Sequence, residues 1–174
     1  SDDEELLSKA FDRGFQTLER EPHLSTDETT MGSVIFDVVD KFKIDSDRDI
    51  ITLYPTYPQR TWEQVEEVYR FYKKENARSL LCSKDVKTHP YMCFERTENF
   101  AGKKVIDHDL YRRQEYPECF EACHYIVITK ANILGELDNN LHCDSTVFYA
   151  LHDEVFDVDY MKDFDSFRKD AARG

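Results

Sequence analysis

Two aspartates near the carboxyl end of the chain have the spacing of a metal-binding pair. Asp157 and Asp159 flank Val158 at the end of an extended segment. Because side chains alternate along extended backbone, both carboxylates point to the same side. Such a pair suits Mg²⁺, which takes one or two carboxylates and completes its shell with water and substrate phosphates. The residues alone leave a second interpretation open, a solvated acidic turn before the last helix, because the chain carries 36 acidic residues.

A local positive cluster lies in the middle of this acidic sequence. Arg112 and Arg113 are followed by Gln114. Two neighbouring guanidinium groups can grip a carboxylate or a phosphate through paired hydrogen bonds. The alternative is a solvated or ion-paired surface pair, and spacing alone does not choose between the two.

The cysteines and histidines offer another candidate site, a zinc centre. The residues that would form it are Cys119, Cys123, His124, His142 and Cys143. Their spacing is unlike that of zinc ribbons and fingers, so buried free thiols and ordinary histidines are the favoured interpretation. The cysteines number five, an odd count without a CxxC pair. A complete disulfide framework is therefore excluded, and reduced thiols are expected.

Composition limits the class of protein. The chain has 174 residues, enough for one domain with a real core, and 13% of them are aromatic. The net charge of −13 repels phosphate backbones and anionic lipids, which predicts neither a nucleic-acid nor a membrane partner. No apolar run approaches 18 residues and the acidic start is unlike a secretory signal, so a cytoplasmic location is expected.

Helices and strands alternate along the sequence. The predicted helices cover residues 2–13, 29–42, 61–75, 131–137 and a last stretch from about Tyr160, and the predicted strands cover 49–54, 78–83, 91–96, 125–129 and 146–151. Short apolar runs separated by helices are typical of buried parallel strands in a layered α/β sheet. Ligands of such sheets usually lie beyond the carboxyl ends of the strands, where the loop 55–60 is predicted. Residues of about 85–118 are predicted to leave the sheet as an excursion.

Five segments, taken in order, match the motifs of one enzyme family. They are residues 2–5 (DDEE), 20–27 (REPHLSTD), 53–60 (LYPTYPQR), 112–114 (RRQ, with Pro117) and 157–164 (DVDYMKDF). In the same order, the family motifs that they resemble are the acidic start of a helix, RPxxLAxD (here with one inserted residue), LQPTSPLR, RRQ followed by P, and DIDxxxDF. These motifs belong to the cytidylyltransferases that make CMP-activated nine-carbon sugar acids, the CMP-N-acetylneuraminate (sialic acid) synthetases and their pseudaminic and legionaminic acid relatives.

The resemblance implies a fold, a reaction and a set of site residues. The fold would be a three-layer, Rossmann-like nucleotide-diphospho-sugar transferase with a mostly parallel sheet, paired as a homodimer through the excursion. The anomeric hydroxyl of an acidic sugar would attack the α-phosphate of CTP and release pyrophosphate. Asp157 and Asp159 would hold Mg²⁺, while Arg20 and Asp27 would lie beside the nucleotide. The substrate-binding residues would be Tyr54, Thr56, Arg60, Arg113 and Gln114.

The sequence also departs from the family pattern. The first strand and the basic, Gly-containing loop that holds the triphosphate are absent from residues 1–174. The chain is therefore expected to begin inside the fold and to be inactive alone. Tyr54 stands where the motif has glutamine, Tyr57 where it has serine, and Cys123-His124 where Asn-Gly is expected. Two alternatives follow: an inactive relative that serves as a binding or dimerisation module, or a sugar nucleotidyltransferase with another nucleotide specificity.

Overall fold

The structure is a computed structural model that describes residues 1–153 and 155–171. Within these residues the helices are α1 (Glu4–Asp12), α2 (Met31–Lys41), α3 (Trp62–Lys74) and α4 (Met161–Ala171), and the strands are β1 (Asp49–Thr52), β2 (Ser79–Asp85), β3 (Phe94–Arg96), β4 (Gly102–Lys104), β5 (Phe120–Lys130) and β6 (Val147–Ala150). Short 3₁₀ turns occupy Pro22–Leu24, Pro90–Met92, Arg113–Glu115 and Ala131–Glu136. The last of these lies where a short helix is predicted at 131–137.

The helices begin and end where local chemistry requires. The side chain of Asp3 accepts a hydrogen bond from the amide of Leu6 at 2.9 Å and caps α1. That helix ends before Gly14, whose φ of +82° lies in the left-handed region that glycine tolerates. Thr61 and Gln64 form a reciprocal capping box at the start of α3, which begins where the helix over residues 61–75 is predicted.

The main sheet is mixed, so the prediction of a mostly parallel sheet was wrong. Among the described residues its strand order is β1-β5-β2-β6. Strand β5 runs antiparallel to both β1 and β2, and the β2–β6 pair is parallel. The chain returns into β5 from the excursion without a crossover helix, and a return of this kind permits antiparallel pairing. The α/β class itself is confirmed.

Strands β1, β2 and β6 nevertheless point in the same direction, because each of β1 and β2 opposes β5 and β6 follows β2. Their carboxyl ends at Thr52, Asp85 and Ala150 therefore lie at one edge of the sheet. The amino end of β5 lies there too, since Phe120 pairs with Asp85. Three connections leave this edge: the loop after β1, the excursion after β2 and the segment after β6.

Helices cover both faces of the sheet. On one face α3 packs on β2 and β5 through a buried cluster that includes Val65, Val68, Tyr72, Leu80 and Ile128. On the other face α2 and the 3₁₀ turn after β5 pack through Ile35, Leu81, Val127, Leu134 and Leu141. The sheet is thus the middle layer. No helix within residues 1–153 and 155–171 combines the length and the apolar character needed to cross a membrane.

A polar network fixes the amino end of β1 to α3. The carboxylate of Asp49 is only 11% exposed and accepts hydrogen bonds from Tyr69, Tyr72, Lys73 and Lys130 at 3.0–3.3 Å. Burial raises the pKa of this carboxyl group, but the four donors together outweigh burial and hold the pKa below its ordinary value. Asp49 is therefore a charged anchor, remote along the strand from the sheet edge described above.

The excursion has an ordered centre of its own. Strands β3 and β4 form a separate two-stranded antiparallel sheet. In the same excursion the rings of His89, Tyr91, His108 and Tyr116 pack with centroid separations of 4.3–5.4 Å. The closest pair is Tyr91 and His108, which are stacked at an interplanar angle of 17°. Aromatic packing thus orders this segment between β2 and β5.

Candidate functional site

The loop after β1 and the segment after β6 are joined at the carboxyl edge of the sheet. The amide of Val158 donates to the carbonyl oxygen of Thr56 at 2.9 Å. The hydroxyl of Tyr57 donates to Oδ2 of Asp157 at 2.7 Å, across 100 positions of sequence. When the side-chain amide of Gln59 is assigned so that its nitrogen faces an acceptor, this nitrogen donates to the carbonyl oxygen of Phe156 at 3.3 Å. Three neighbouring contacts therefore hold the predicted metal pair against the predicted substrate loop.

The two aspartates predicted as a metal pair lie at this junction. Asp157 and Asp159 are both exposed and lie on either side of the partly buried Val158. Tyr57 donates a hydrogen bond to Oδ2 of Asp157. No set of three or more His, Cys, Asp or Glu side chains in the described part of the chain is arranged to hold a metal ion. A magnesium ion here would take two carboxylates and fill its shell with water and phosphate oxygens, which is its usual preference.

Tyr57 is the buried residue of this junction. Its side chain is 5% exposed, and its ring meets Tyr125 edge-on with centroids 5.3 Å apart. The thiol of Cys123 donates to the Tyr57 oxygen at 3.6 Å. Burial, reinforced by the hydrogen bond to Asp157, raises the pKa of Tyr57 far above its ordinary value. The phenol therefore stays protonated and remains a donor to the carboxylate.

Arg60 fixes the same loop to β5. Its two terminal nitrogens donate to the carbonyl oxygens of Tyr125 at 2.7 Å and Tyr54 at 2.9 Å. The guanidinium carbon also lies 5.7 Å from the centre of the Tyr125 ring. Burial lowers the pKa of Arg60 from its ordinary value. These contacts give Arg60 a structural role, and its predicted contact with a sugar acid stays a prediction.

Tyr54 and Thr56 lie on the same loop. Tyr54 is half-buried, its ring centroid is 5.4 Å from that of His124, and burial raises the pKa of its phenol. His124 is itself held by Asn140, whose carbonyl oxygen lies 3.0 Å from Nε2. Thr56 is partly buried and contributes the carbonyl that accepts from Val158. Tyr54 therefore presents a ring, rather than the amide of the family motif, at this position.

The other four predicted site residues lie outside this junction. Arg20 lines a cavity of about 210 Å³ against α2, and Asp27 is exposed in a turn before that helix. Arg113 and Gln114 are exposed in a 3₁₀ turn of the excursion. In the region that the structure describes, no hydrogen bond or ion pair joins any of the four to Asp157. Their predicted roles remain predictions.

The zinc interpretation finds no support from the positions of its residues. All five cysteines are free thiols, as the sequence predicted. Cys123 is engaged with Tyr57 and His124 with the Asn140 carbonyl, while Nδ1 of His142 lies 3.9 Å from Asp138. The side chains thus have separate partners instead of converging on one point.

A cleft of about 300 Å³, which the sequence did not predict, opens at the same edge of the sheet. Its lining residues are Lys84, Asp85, Lys87, Leu151, His152, Asp153 and Val155. They come from the end of β2 and from the segment after β6, separated by more than 60 positions, so no local pattern could reveal them. The volume is at the lower end of the range for small-molecule sites.

The chain is similar to a known protein over most of its length. No protein-family model matches the chain. An N-acylneuraminate cytidylyltransferase of Streptococcus agalactiae is 24% identical over 168 residues, an alignment that covers 94% of this chain. The chain spans about 40% of the length of that protein. Over most of its length, therefore, this chain is similar to part of an N-acylneuraminate cytidylyltransferase.

Proposed function

We propose that this chain is part of a nucleotidyltransferase that transfers CMP from CTP to an acidic nine-carbon sugar and releases pyrophosphate. The observation that carries the proposal is the junction between the loop after β1 and the segment after β6. It sets Asp157 and Asp159 beside Thr56 at the carboxyl edge of three strands that run in the same direction. The similarity to an N-acylneuraminate cytidylyltransferase supports the choice of nucleotide and of sugar, within a Rossmann-like nucleotide-diphospho-sugar transferase fold.

We assign Mg²⁺ to Asp157 and Asp159. When bound, the ion neutralises the charge that develops on the phosphates of the nucleotide. The protein's own contribution is to carry the two carboxylates on one short segment, with one oxygen of Asp157 already engaged by Tyr57. Arg20 and Asp27 are assigned to the nucleotide, and Arg113 and Gln114 to the substrate, on the motifs that they match.

The cleft beside β2 and β6 supports an acidic sugar as the second substrate. Lys84, Lys87 and His152 can donate hydrogen bonds to a carboxylate. Asp85 and Asp153 can accept hydrogen bonds from sugar hydroxyl groups. A lining with both kinds of group suits a polyhydroxylated anion better than an apolar ligand.

A titration of nucleotides against the chain tests this proposal. We expect CTP to bind in the presence of Mg²⁺, and UTP and GTP to bind at least about 10-fold more weakly, because a site that hydrogen-bonds one base leaves polar groups unpaired with another. Isothermal titration calorimetry with and without EDTA measures both effects. Preference for a purine nucleotide would contradict the cytidylyl assignment. Metal binding without any nucleotide binding would contradict the expectation that residues 1–174 bind CTP, while leaving the metal assignment in place.

We also propose that two copies of the chain pair through the excursion. Its surface carries a concentration of exposed apolar side chains, namely Phe94, Phe100, Val105, Ile106 and Tyr111. Tyr111 is 93% exposed and Phe100 is 85% exposed. Pairing of two copies would bury such exposed apolar side chains.

Phe94→Glu is expected to convert the dimer to monomer in sedimentation velocity, because the substitution places a charge on that surface. Phe36→Glu is the matched control, since Phe36 on α2 is 60% exposed and Phe94 is 59% exposed. The control should leave the dimer intact. A monomeric unsubstituted chain, or equal dissociation by both variants, would contradict pairing through the excursion.

A further inference from the structure

Tyr57 connects the candidate metal pair directly to the buried core. The ring is 5% exposed, whereas the carboxylate that accepts its hydrogen bond belongs to an exposed residue, Asp157. The O···O separation of 2.7 Å is typical of a well-formed O–H···O hydrogen bond. A buried group thus engages one carboxylate oxygen of an exposed residue.

The surroundings of Tyr57 determine the direction of this hydrogen bond. The thiol of Cys123 approaches the phenol oxygen as a donor at 3.6 Å. Because an ionised carboxylate can only accept, the phenol hydrogen must point at Oδ2 of Asp157. The hydroxyl group is therefore used on both sides, once as acceptor and once as donor.

The ring of Tyr57 is held in turn by Tyr125. Tyr125 is fully buried and packs edge-on against Tyr57. Its own hydroxyl donates to Oε1 of Gln64 at 2.5 Å. That oxygen also accepts from the amide of Thr61 at 2.9 Å, as part of the capping box of α3. Contacts therefore run without interruption from the start of α3 to the carboxylate of Asp157.

We propose that Tyr57 is a positioning residue for a divalent cation at Asp157. It holds Oδ2, so that Asp157 binds the cation through Oδ1 alone and in a fixed orientation. The inference rests on the metal assignment of the proposed function and adds to it the residue that orients the ligand. Hydrogen-bond partners of metal ligands typically change metal affinity by about 10–100-fold when they are removed.

The test compares Tyr57→Phe with Tyr72→Phe, which removes an equivalent hydrogen bond elsewhere. Tyr72 is 1% exposed, and its hydroxyl donates to Oδ1 of Asp49 at 3.0 Å. The probe is Mn²⁺, whose free concentration is read by electron paramagnetic resonance. We expect Tyr57→Phe to weaken Mn²⁺ binding by about 10-fold or more and Tyr72→Phe to leave it within about 2-fold, since only the first variant frees a metal ligand.

A second readout separates positioning from a general loss of stability. In metal-free protein, hydrogen–deuterium exchange should accelerate in residues 155–160 of Tyr57→Phe and stay unchanged there in Tyr72→Phe. Unchanged Mn²⁺ affinity in Tyr57→Phe, or an equal loss in both variants, would overturn the inference while leaving the metal site in place. Failure of the unsubstituted chain to bind Mn²⁺ would instead overturn the metal assignment and this inference with it.

Discussion

Replacing Asp157 by asparagine is expected to abolish cation-dependent binding of CTP. The amide is nearly isosteric with the carboxylate and still accepts the hydrogen bond from Tyr57, so the segment should keep its place. What the variant loses is the negative charge that faces the cation. We expect Mn²⁺ affinity to fall by at least about 100-fold, because even the partners of metal ligands are worth about 10–100-fold.

The measurements are Mn²⁺ titration and calorimetry of CTP with Mg²⁺, made on Asp157→Asn and Asp159→Asn. Both variants should lose binding, since each removes one of two proposed ligands. Asp45→Asn provides the control, because Asp45 is an exposed carboxylate paired only loosely with Arg48 at 3.8 Å. Unchanged binding by Asp157→Asn would show that the aspartate pair is an acidic turn and not a metal site.

Sequence patterns predicted those features of the fold that depend on neighbouring residues. Thr61 is followed three positions later by Gln64, so four consecutive residues are enough to predict the capping box. Gly14 ends α1 for an equally local reason. The direction of β5 has no such local signal. It depends on how the chain returns from the excursion to the position between β1 and β2. The apolar run Tyr125–Thr129 predicts a buried strand, but it does not indicate whether that strand pairs parallel or antiparallel with its neighbours.

The same distinction applies to the candidate site. The spacing of Asp157 and Asp159 is visible in three residues, and both residues are exposed. The hydrogen bond from Tyr57 to Asp157 joins residues 100 positions apart, and the sequence around either residue does not predict it. The family motif even has serine at this position. A tyrosine reaches from the core to the carboxylate only because Tyr125 and Cys123 shape its pocket, and that depends on the packing of β5.

Arg60 illustrates how a motif residue can acquire a structural task. The motif favours a substrate contact, yet both terminal nitrogens donate to main-chain carbonyls. Arg60→Ala leaves these two carbonyl oxygens without partners, and one of them belongs to the fully buried Tyr125. Each unsatisfied buried group costs about 1–3 kcal/mol. Together with the lost contact over the Tyr125 ring, we expect a destabilisation of about 3 kcal/mol.

For a domain of this size, about 3 kcal/mol corresponds to a fall in Tm of about 6–12 °C. Differential scanning calorimetry measures the change, and Arg78→Ala is the control. Arg78 also makes two hydrogen bonds, to Glu136, but both side chains are about half exposed, so its loss should cost at most about 1 kcal/mol. Arg60→Lys should resemble Arg60→Ala, because a single ammonium group cannot span the two carbonyls. If Arg60→Ala left Tm unchanged and weakened substrate binding, the structural role would be contradicted and the substrate-binding role that the motif predicts would be favoured.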